Sequence, residues 1–258
     1  VVSDHWELEI EIAGHTLTGS SVAALATAFA LDRVGTAIDM GRCSARLAAQ
    51  DTVLLTHCHS DHVAGLVAWL SAHTRRHRDR PTRVVVPAER HRELLDALAI
   101  WPDLDGVRRR VDLADALVPA SPGTTVELCH GGSATAFSVR HNTVALGWSI
   151  SIGDGSRPEF AFAGDGTVEP FRDDPSLLDV DVAVVDCSFV EPGTRVAARL
   201  GGHGHLTDWL ELLPDLQCDA LVLAHLPPEA TTERIAELLP DELPGTSVVV
   251  PWLTTAER

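Results

Sequence analysis

Thr56-His57-Cys58-His59-Ser60-Asp61-His62 places three imidazoles and a carboxylate within six consecutive residues, 57–62. The stretch sits at a junction. Residues 52–55 before it read as a short buried strand, and 63–72 behind it carry helical apolar spacing through Val63, Leu66, Val67 and Leu70. On an extended backbone residues two apart point the same way, so His57 and His59 can reach one metal ion together. The turn into the helix then aims Asp61 and His62 at a neighbouring point. Imidazole and carboxylate suit Zn2+ and its first-row neighbours. A pair of ions ~3.5–4 Å apart would be served by such a pattern. The same alternation turns Cys58 away from the histidines, and it is not counted as a ligand.

Further chemistry-bearing residues stand at strand ends. Residues 135–140 and 145–152 read as strands on either side of His141. A strand over 159–163 ends at Ala163-Gly164-Asp165-Gly166, where the flanking glycines leave room for close approach to Asp165. Strand 180–185 runs into Asp186, and strand 221–224 ends at His225. The N-terminal segment alternates Trp6, Leu8, Ile10 and Ile12 inward with Glu7, Glu9 and Glu11 outward, a half-buried strand. An apolar run over 23–31 and a strand over 34–39 follow, closed by a turn at Asp39-Met40-Gly41. Strand 83–86 with helix 88–99 makes a further β–α unit, and a strand is expected over 125–129. Helices are expected over 206–213 and 231–239, and a last strand over 247–250. No linker, low-complexity tract or short repeat interrupts the pattern. The expectation is one domain over 1–258, built from two similar halves.

Composition narrows the function. The chain has 258 residues, 45% hydrophobic and 22% charged, which allows a sizeable core. All 20 basic residues are arginines, and lysine and tyrosine are absent, so a Walker lysine, a Schiff-base lysine and a tyrosine acid or nucleophile are excluded. A net charge of −17 argues against a general nucleic-acid binder, which needs clustered positive charge. Residues 75–110 are the exception, with ten arginines against six acids. They read as a solvated face, with Arg75, Arg76 and Arg78 complementing the carbonyl end of a helix. The five cysteines, Cys43, Cys58, Cys129, Cys187 and Cys218, are odd in number and form no CxxC pair, so neither a disulfide framework nor a cysteine zinc site is expected. No apolar stretch approaches the ~18 residues of a membrane span. No signal peptide is visible, which makes the cytoplasm the default location. His5, His15, His73, His77, His91 and His130 fall outside the motifs and are expected at the surface.

The segment HxHxDH followed by Val-Ala-Gly-Leu resembles the signature of the metallo-β-lactamase superfamily. HNTVALGW at 141–148 resembles its third motif, AGDG at 163–166 the fourth and LVLAHL at 221–226 the fifth, with IDMG at 38–41 preceding them. Within the superfamily the chain is most similar to the ribonuclease Z-like branch. GHGHLT at 202–207 resembles that branch's His-x-Thr motif. VDCSF at 185–189 stands where the branch has His-Glu-Ala-Thr-Phe, with Asp186 for the glutamate and Ser188 for the threonine.

The resemblance implies an α/β (α+β) fold, the four-layer αβ/βα metallo-β-lactamase sandwich, with the site at one edge of two facing sheets. It implies two Zn2+ ions, with Mn2+ or Fe2+ tolerated. One would be held by His57, His59 and His141, the other by Asp61, His62 and His225, with Asp165 bridging. A hydroxide shared by the ions would be the nucleophile. His205, oriented by Asp186, would protonate the leaving group, and Asp61 is counted with them among the catalytic residues. His203, beside a glycine-rich turn, reads as a solvated loop residue. The implied activity is a dinuclear metal-dependent hydrolase acting on a small phosphodiester or an activated ester. Alternatives are the same metal site acting on a thioester, lactone or β-lactam, and a non-catalytic scaffold. Lactonases of the superfamily use a tyrosine and β-lactamases often a lysine, both missing here, while all seven expected ligands are present. Ribonucleases Z that mature tRNA carry a long arm between the third and fourth motifs. Here His141 to Asp165 spans 24 positions, so no arm fits and tRNA is not an expected partner. A small-molecule substrate, no membrane and a homodimer complete the expectation.

Overall fold

Each half of the chain lays its strands side by side in the order of the sequence. The computed structural model describes residues 6–76, 79–105, 112–153, 157–243 and 248–252. The first sheet runs β1 (Leu8–Ile12), β2 (His15–Val22), β3 (Ala26–Leu31), β4 (Thr36–Ile38), β5 (Thr52–Leu54), β6 (Arg83–Pro87) and β7 (Leu117–Ala120). The second runs β8 (Thr125–Glu127), β9 (Ser133–Ser138), β10 (Leu146–Ser151), β11 (Phe160–Phe162), β12 (Val182–Asp186), β13 (Ala220–Ala224) and β14 (Val248–Pro251). In both sheets the first four strands pair antiparallel and the fourth to seventh pair parallel. The halves therefore repeat one plan.

Strand alternation builds the layers. Phe29, Ile38, Leu54 and Val85 of the first sheet share one buried cluster with Trp148, Phe160, Phe162, Val184 and Val222 of the second. Their neighbours Ala37, Val53 and Val84 point the other way, onto Leu66, Trp69, Leu70, Leu94 and Leu98 of the first half's helices. On the far side Ala183, Val185, Leu221 and Leu223 pack against Leu206, Trp209 and Leu212. Central strands buried on both faces are what an αβ/βα sandwich requires. Helix α1 (Ser60–Val63) and helix α2 (Leu66–Arg76) follow β5, and α2 buries Leu66, Trp69, Leu70 and His73 at helical spacing. Sequence periodicity predicts one helix over 63–72; the chain divides it at Gly65, whose N–H donates to the Met40 carbonyl at 2.8 Å.

Two elements lie outside the sequence reading, and one expectation needs correction. Polar His15–Val22 is strand β2, because Ser21 and Thr27 hydroxyls satisfy each other at 3.2 Å and Leu17 is buried. The helix Arg195–Gly201 lacks a simple apolar stripe, since Ala198 is its buried residue. His73 is not at the surface but fully buried, stacked on Trp69, with ring nitrogens 3.0 Å from the Ala48 carbonyl and 2.9 Å from that of Pro81. His5 and His77 lie outside the described residues, as do Arg78 and Arg108–Arg110 of the arginine-rich stretch. Elsewhere in that stretch Arg80 pairs with Asp51, Arg90 with Glu93 and Arg92 with Asp96. Among the described residues no helix is long and apolar enough to cross a membrane.

Candidate metal centre

The carboxyl ends of the strands deliver the site. β5 passes directly into Thr56 and His57, and the start of α1 carries Asp61 and His62. The loop after β9 supplies His141, the loop after β11 supplies Asp165, and β13 ends at His225. Gly164 precedes Asp165 at φ +62, and a Cβ there would lie 2.6 Å from the Thr56 side chain. That close approach fixes the two halves against each other at the site.

Two ligand-like sets face one another, and a third group, Asp165, His203 and His225, overlaps them. His57, His59, His141 and Asp165 offer ligand atoms all within 4.8 Å of one another, and so do Asp61, His62 and His225. The Asp165 carboxylate lies between the sets, 3.7 Å from His57 Nε2, 3.4 Å from His62 Nε2 and 3.4 Å from His225 Nε2. His141 Nε2 faces His59 Nδ1 at 3.4 Å. His57 and His62 are fully buried, and neither Nε2 has a hydrogen-bond partner. Orphaned buried nitrogens converging on a carboxylate are what a bound cation would satisfy. The residues therefore fit a divalent metal.

Four of the five rings in these two sets are held from behind. His57 Nδ1 lies 3.0 Å from Thr56 Oγ1, and His62 Nδ1 lies 2.8 Å from Asp39 Oδ2. His141 Nδ1–H donates to the Gly202 carbonyl at 2.6 Å, and His225 Nδ1 lies 2.8 Å from Ser188 Oγ. Such outer partners orient ligand histidines. Burial, with the neighbouring imidazoles, pushes the His57 pKa well below its ordinary value. Burial would lower His225 too, yet Asp165, Asp186 and Asp61 outweigh it and push it up to about 10. Negative potential at His225 favours a cation there. Cys58 takes no part: it packs beside the first half's helices, and burial pushes its thiol up to about 11.

His205 is the main departure from the sequence expectation. It is buried and caps the helix Leu206–Leu212, its Nδ1 accepting from Thr207 N–H at 3.0 Å. Its Nε2–H donates to the Glu191 carbonyl at 3.2 Å. Asp186 instead holds His203, whose Nδ1–H donates to Asp186 Oδ2 at 2.8 Å and lies 4.0 Å from Asp165 Oδ2. The His203 side chain is 19% exposed, at the open rim with Asp61. Burial lowers the His203 pKa, but the Asp186 hydrogen bond and charge outweigh it and hold it above the ordinary value. The missed signal was local. His205 stands immediately before Leu206, Trp209 and Leu212, the position of a helix cap.

Residues 37–226 match the family described as the beta-lactamase superfamily domain. Among curated relatives, tRNase Z TRZ1 of Arabidopsis thaliana is 25% identical over 92% of this chain and 95% of its own length. The metallo-β-lactamase fold protein YhfI from Bacillus subtilis superposes with a TM-score of 0.64 at 15% identity, covering 91% of this chain and 95% of that one. A diphosphatase of the PhnP family does so with a TM-score of 0.57 at 18% identity, covering 84% and 78%.

Proposed function

The chain belongs to the metallo-β-lactamase superfamily, in its ribonuclease Z-like branch, and from that premise we propose that it is a metal-dependent hydrolase of a small phosphodiester. The observation that carries the proposal is the pair of converging sets, His57/His59/His141 and Asp61/His62/His225, with Asp165 between them. Divalent ions bound there would supply Lewis acidity and bring the pKa of water toward ~7. Zinc is the natural choice for imidazole-rich sets.

The chain's own residues do the rest. Asp165, buried between the sets, would hold both ions. Asp61, half inside the site, would hold the second ion and face substrate at the rim. His203 is the proton donor to the leaving group: Asp186 fixes its Nδ1–H, so Nε2 is the nitrogen left for exchange with substrate. His205, without contact to Asp186, is a structural cap. A phosphodiester is favoured over a lactone or β-lactam because the chain supplies neither tyrosine nor lysine beside the metals. A small substrate is favoured over precursor tRNA, since the His141–Asp165 interval is filled by the β10–β11 hairpin with Trp148 opposite Phe162.

The test is protein purified without chelator, analysed for metal and assayed on bis-p-nitrophenyl phosphate, cyclic nucleotides, acyl-thioesters, lactones and precursor tRNA. About two ions per chain and phosphodiester turnover are expected, with no specific tRNA 3′ cleavage. A chain that folds without metal and turns over lactones would refute the proposal.

A further inference from the structure

The two halves repeat a small piece of hydrogen-bond chemistry behind the metal centre. In the first half Thr56 Oγ1 lies 2.8 Å from Asp39 Oδ2 and 3.0 Å from His57 Nδ1. In the second Ser188 Oγ lies 2.5 Å from Asp186 Oδ1 and 2.8 Å from His225 Nδ1. Both carboxylates are buried and collect other donors. Asp39 accepts Thr56 N–H at 2.7 Å and faces His62 Nδ1 at 2.8 Å; Asp186 accepts Ser188 N–H at 2.8 Å and Gly166 N–H at 3.1 Å.

Donor arithmetic fixes the protons. An ionised carboxylate can only accept, and a hydroxyl has one hydrogen. Thr56 and Ser188 must therefore spend that hydrogen on Asp39 and Asp186, which leaves only oxygen lone pairs facing the histidines. His57 Nδ1 and His225 Nδ1 must in turn be the protonated nitrogens. Nε2 is then the nitrogen each ring can present to a cation beside Asp165, which lies 3.7 Å from one and 3.4 Å from the other. His57 belongs to one candidate set and His225 to the other.

We infer that Thr56 and Ser188 are paired positioning residues, each hydroxyl setting the tautomer of one histidine so that its Nε2 can bind one ion. The inference rests on the proposed dinuclear centre, and it divides that centre's stability between two side chains that touch neither substrate nor metal. Each relay serves a different ion. Their losses are separable.

The experiment is competition for Zn2+ with a chromophoric chelator, which resolves two binding steps, with total metal measured by elemental analysis. Thr56→Val and Ser188→Ala should each weaken one step by about 10–100-fold, the usual cost of losing an outer partner. The other step should stay within about threefold, and the double variant should weaken both. Thr56→Ser and Ser188→Thr, which keep the hydroxyl, should bind both ions like the parent, with melting temperatures checking that every variant folds. A single variant that left both steps unchanged, or weakened both equally, would overturn the inference. So would hydroxyl-keeping variants as weak as their partners. Wild-type protein with no resolvable pair of steps would remove the dinuclear reading itself, and the inference with it.

Discussion

Replacing His203 and His205 separately by alanine should split activity from stability. His205 Nδ1 caps the helix Leu206–Leu212 and its Nε2–H donates to the Glu191 carbonyl. A lost cap costs about 1 kcal/mol, a lost hydrogen bond about 1 kcal/mol, and emptying the buried ring position roughly 1–2 kcal/mol more. The total is about 3–4 kcal/mol. At about 2–4 °C per kcal/mol for a chain of this size, the melting temperature should fall by roughly 6–16 °C. Turnover per folded molecule should stay within about threefold of the parent, because neither ring nitrogen faces the metal centre. His203→Ala should behave in the opposite way. Asp186 retains N–H groups of Gly166, Gly204 and Ser188 and the Ser188 hydroxyl, so the loss should be about 1 kcal/mol and a few degrees. Its kcat/KM should fall by about 10²–10⁴-fold for alkoxide leaving groups and much less for p-nitrophenolate, which leaves without a proton. Calorimetry and steady-state kinetics on both leaving-group types decide the matter. A His205→Ala protein that stays fully folded but loses turnover as His203→Ala does would refute the assignment. Loss of metal from His203→Ala would make His203 a ligand.

Asp165→Ala should lose metal as well as activity, falling from about two ions per chain to fewer than one, since the remaining imidazoles would hold two cations with no carboxylate between them; elemental analysis checks this. Gly41→Ala should destabilise the chain by roughly 1–3 kcal/mol or more and weaken the second ion, because a Cβ at Gly41 would lie 1.8 Å from the Asp61 carbonyl oxygen and force α1 to move; denaturant melts with metal titration measure both effects.

The site was legible where chemistry and periodicity coincide. HxHxDH sits between a buried strand and a helix, and His141, Asp165 and His225 each follow a strand, so alternation alone brings them to one edge. What stayed hidden depends on pairing across the fold. Strand β2 shows no apolar alternation because its hydroxyls find their partners across the fold, Thr16 and Thr18 on Glu11 and Glu9 of β1 and Ser21 on Thr27 of β3. His73 reads as a surface residue because its carbonyl partners at Ala48 and Pro81 are distant in sequence or follow a turn. In GHGHLT two histidines stand two residues apart, and only the start of the helix at Leu206 distinguishes the cap from the residue on Asp186. Motif resemblance located the segment but not which imidazole the Asp186 carboxylate holds.

The order of strands in the two sheets also bears on how the molecule is assembled. Among the described residues each strand's sheet neighbours are its neighbours in sequence, and a single isolated bridge, Val22 to Leu226, crosses from one half to the other. Each half can therefore complete its own sheet ladder, and the few backbone bonds between halves, Ala23 N–H to the Leu226 carbonyl and Leu146 N–H to the Thr56 carbonyl, form on docking. The proposed ligands divide differently: His57, His59, Asp61 and His62 come from the first half, and His141, Asp165 and His225 from the second. Neither half owns a complete set, so high-affinity metal uptake must follow the docking of the two sheets. Ions captured at that stage favour the docked state over any separated intermediate by mass action. A metal bound there would act as a latch that closes only on a correctly assembled molecule.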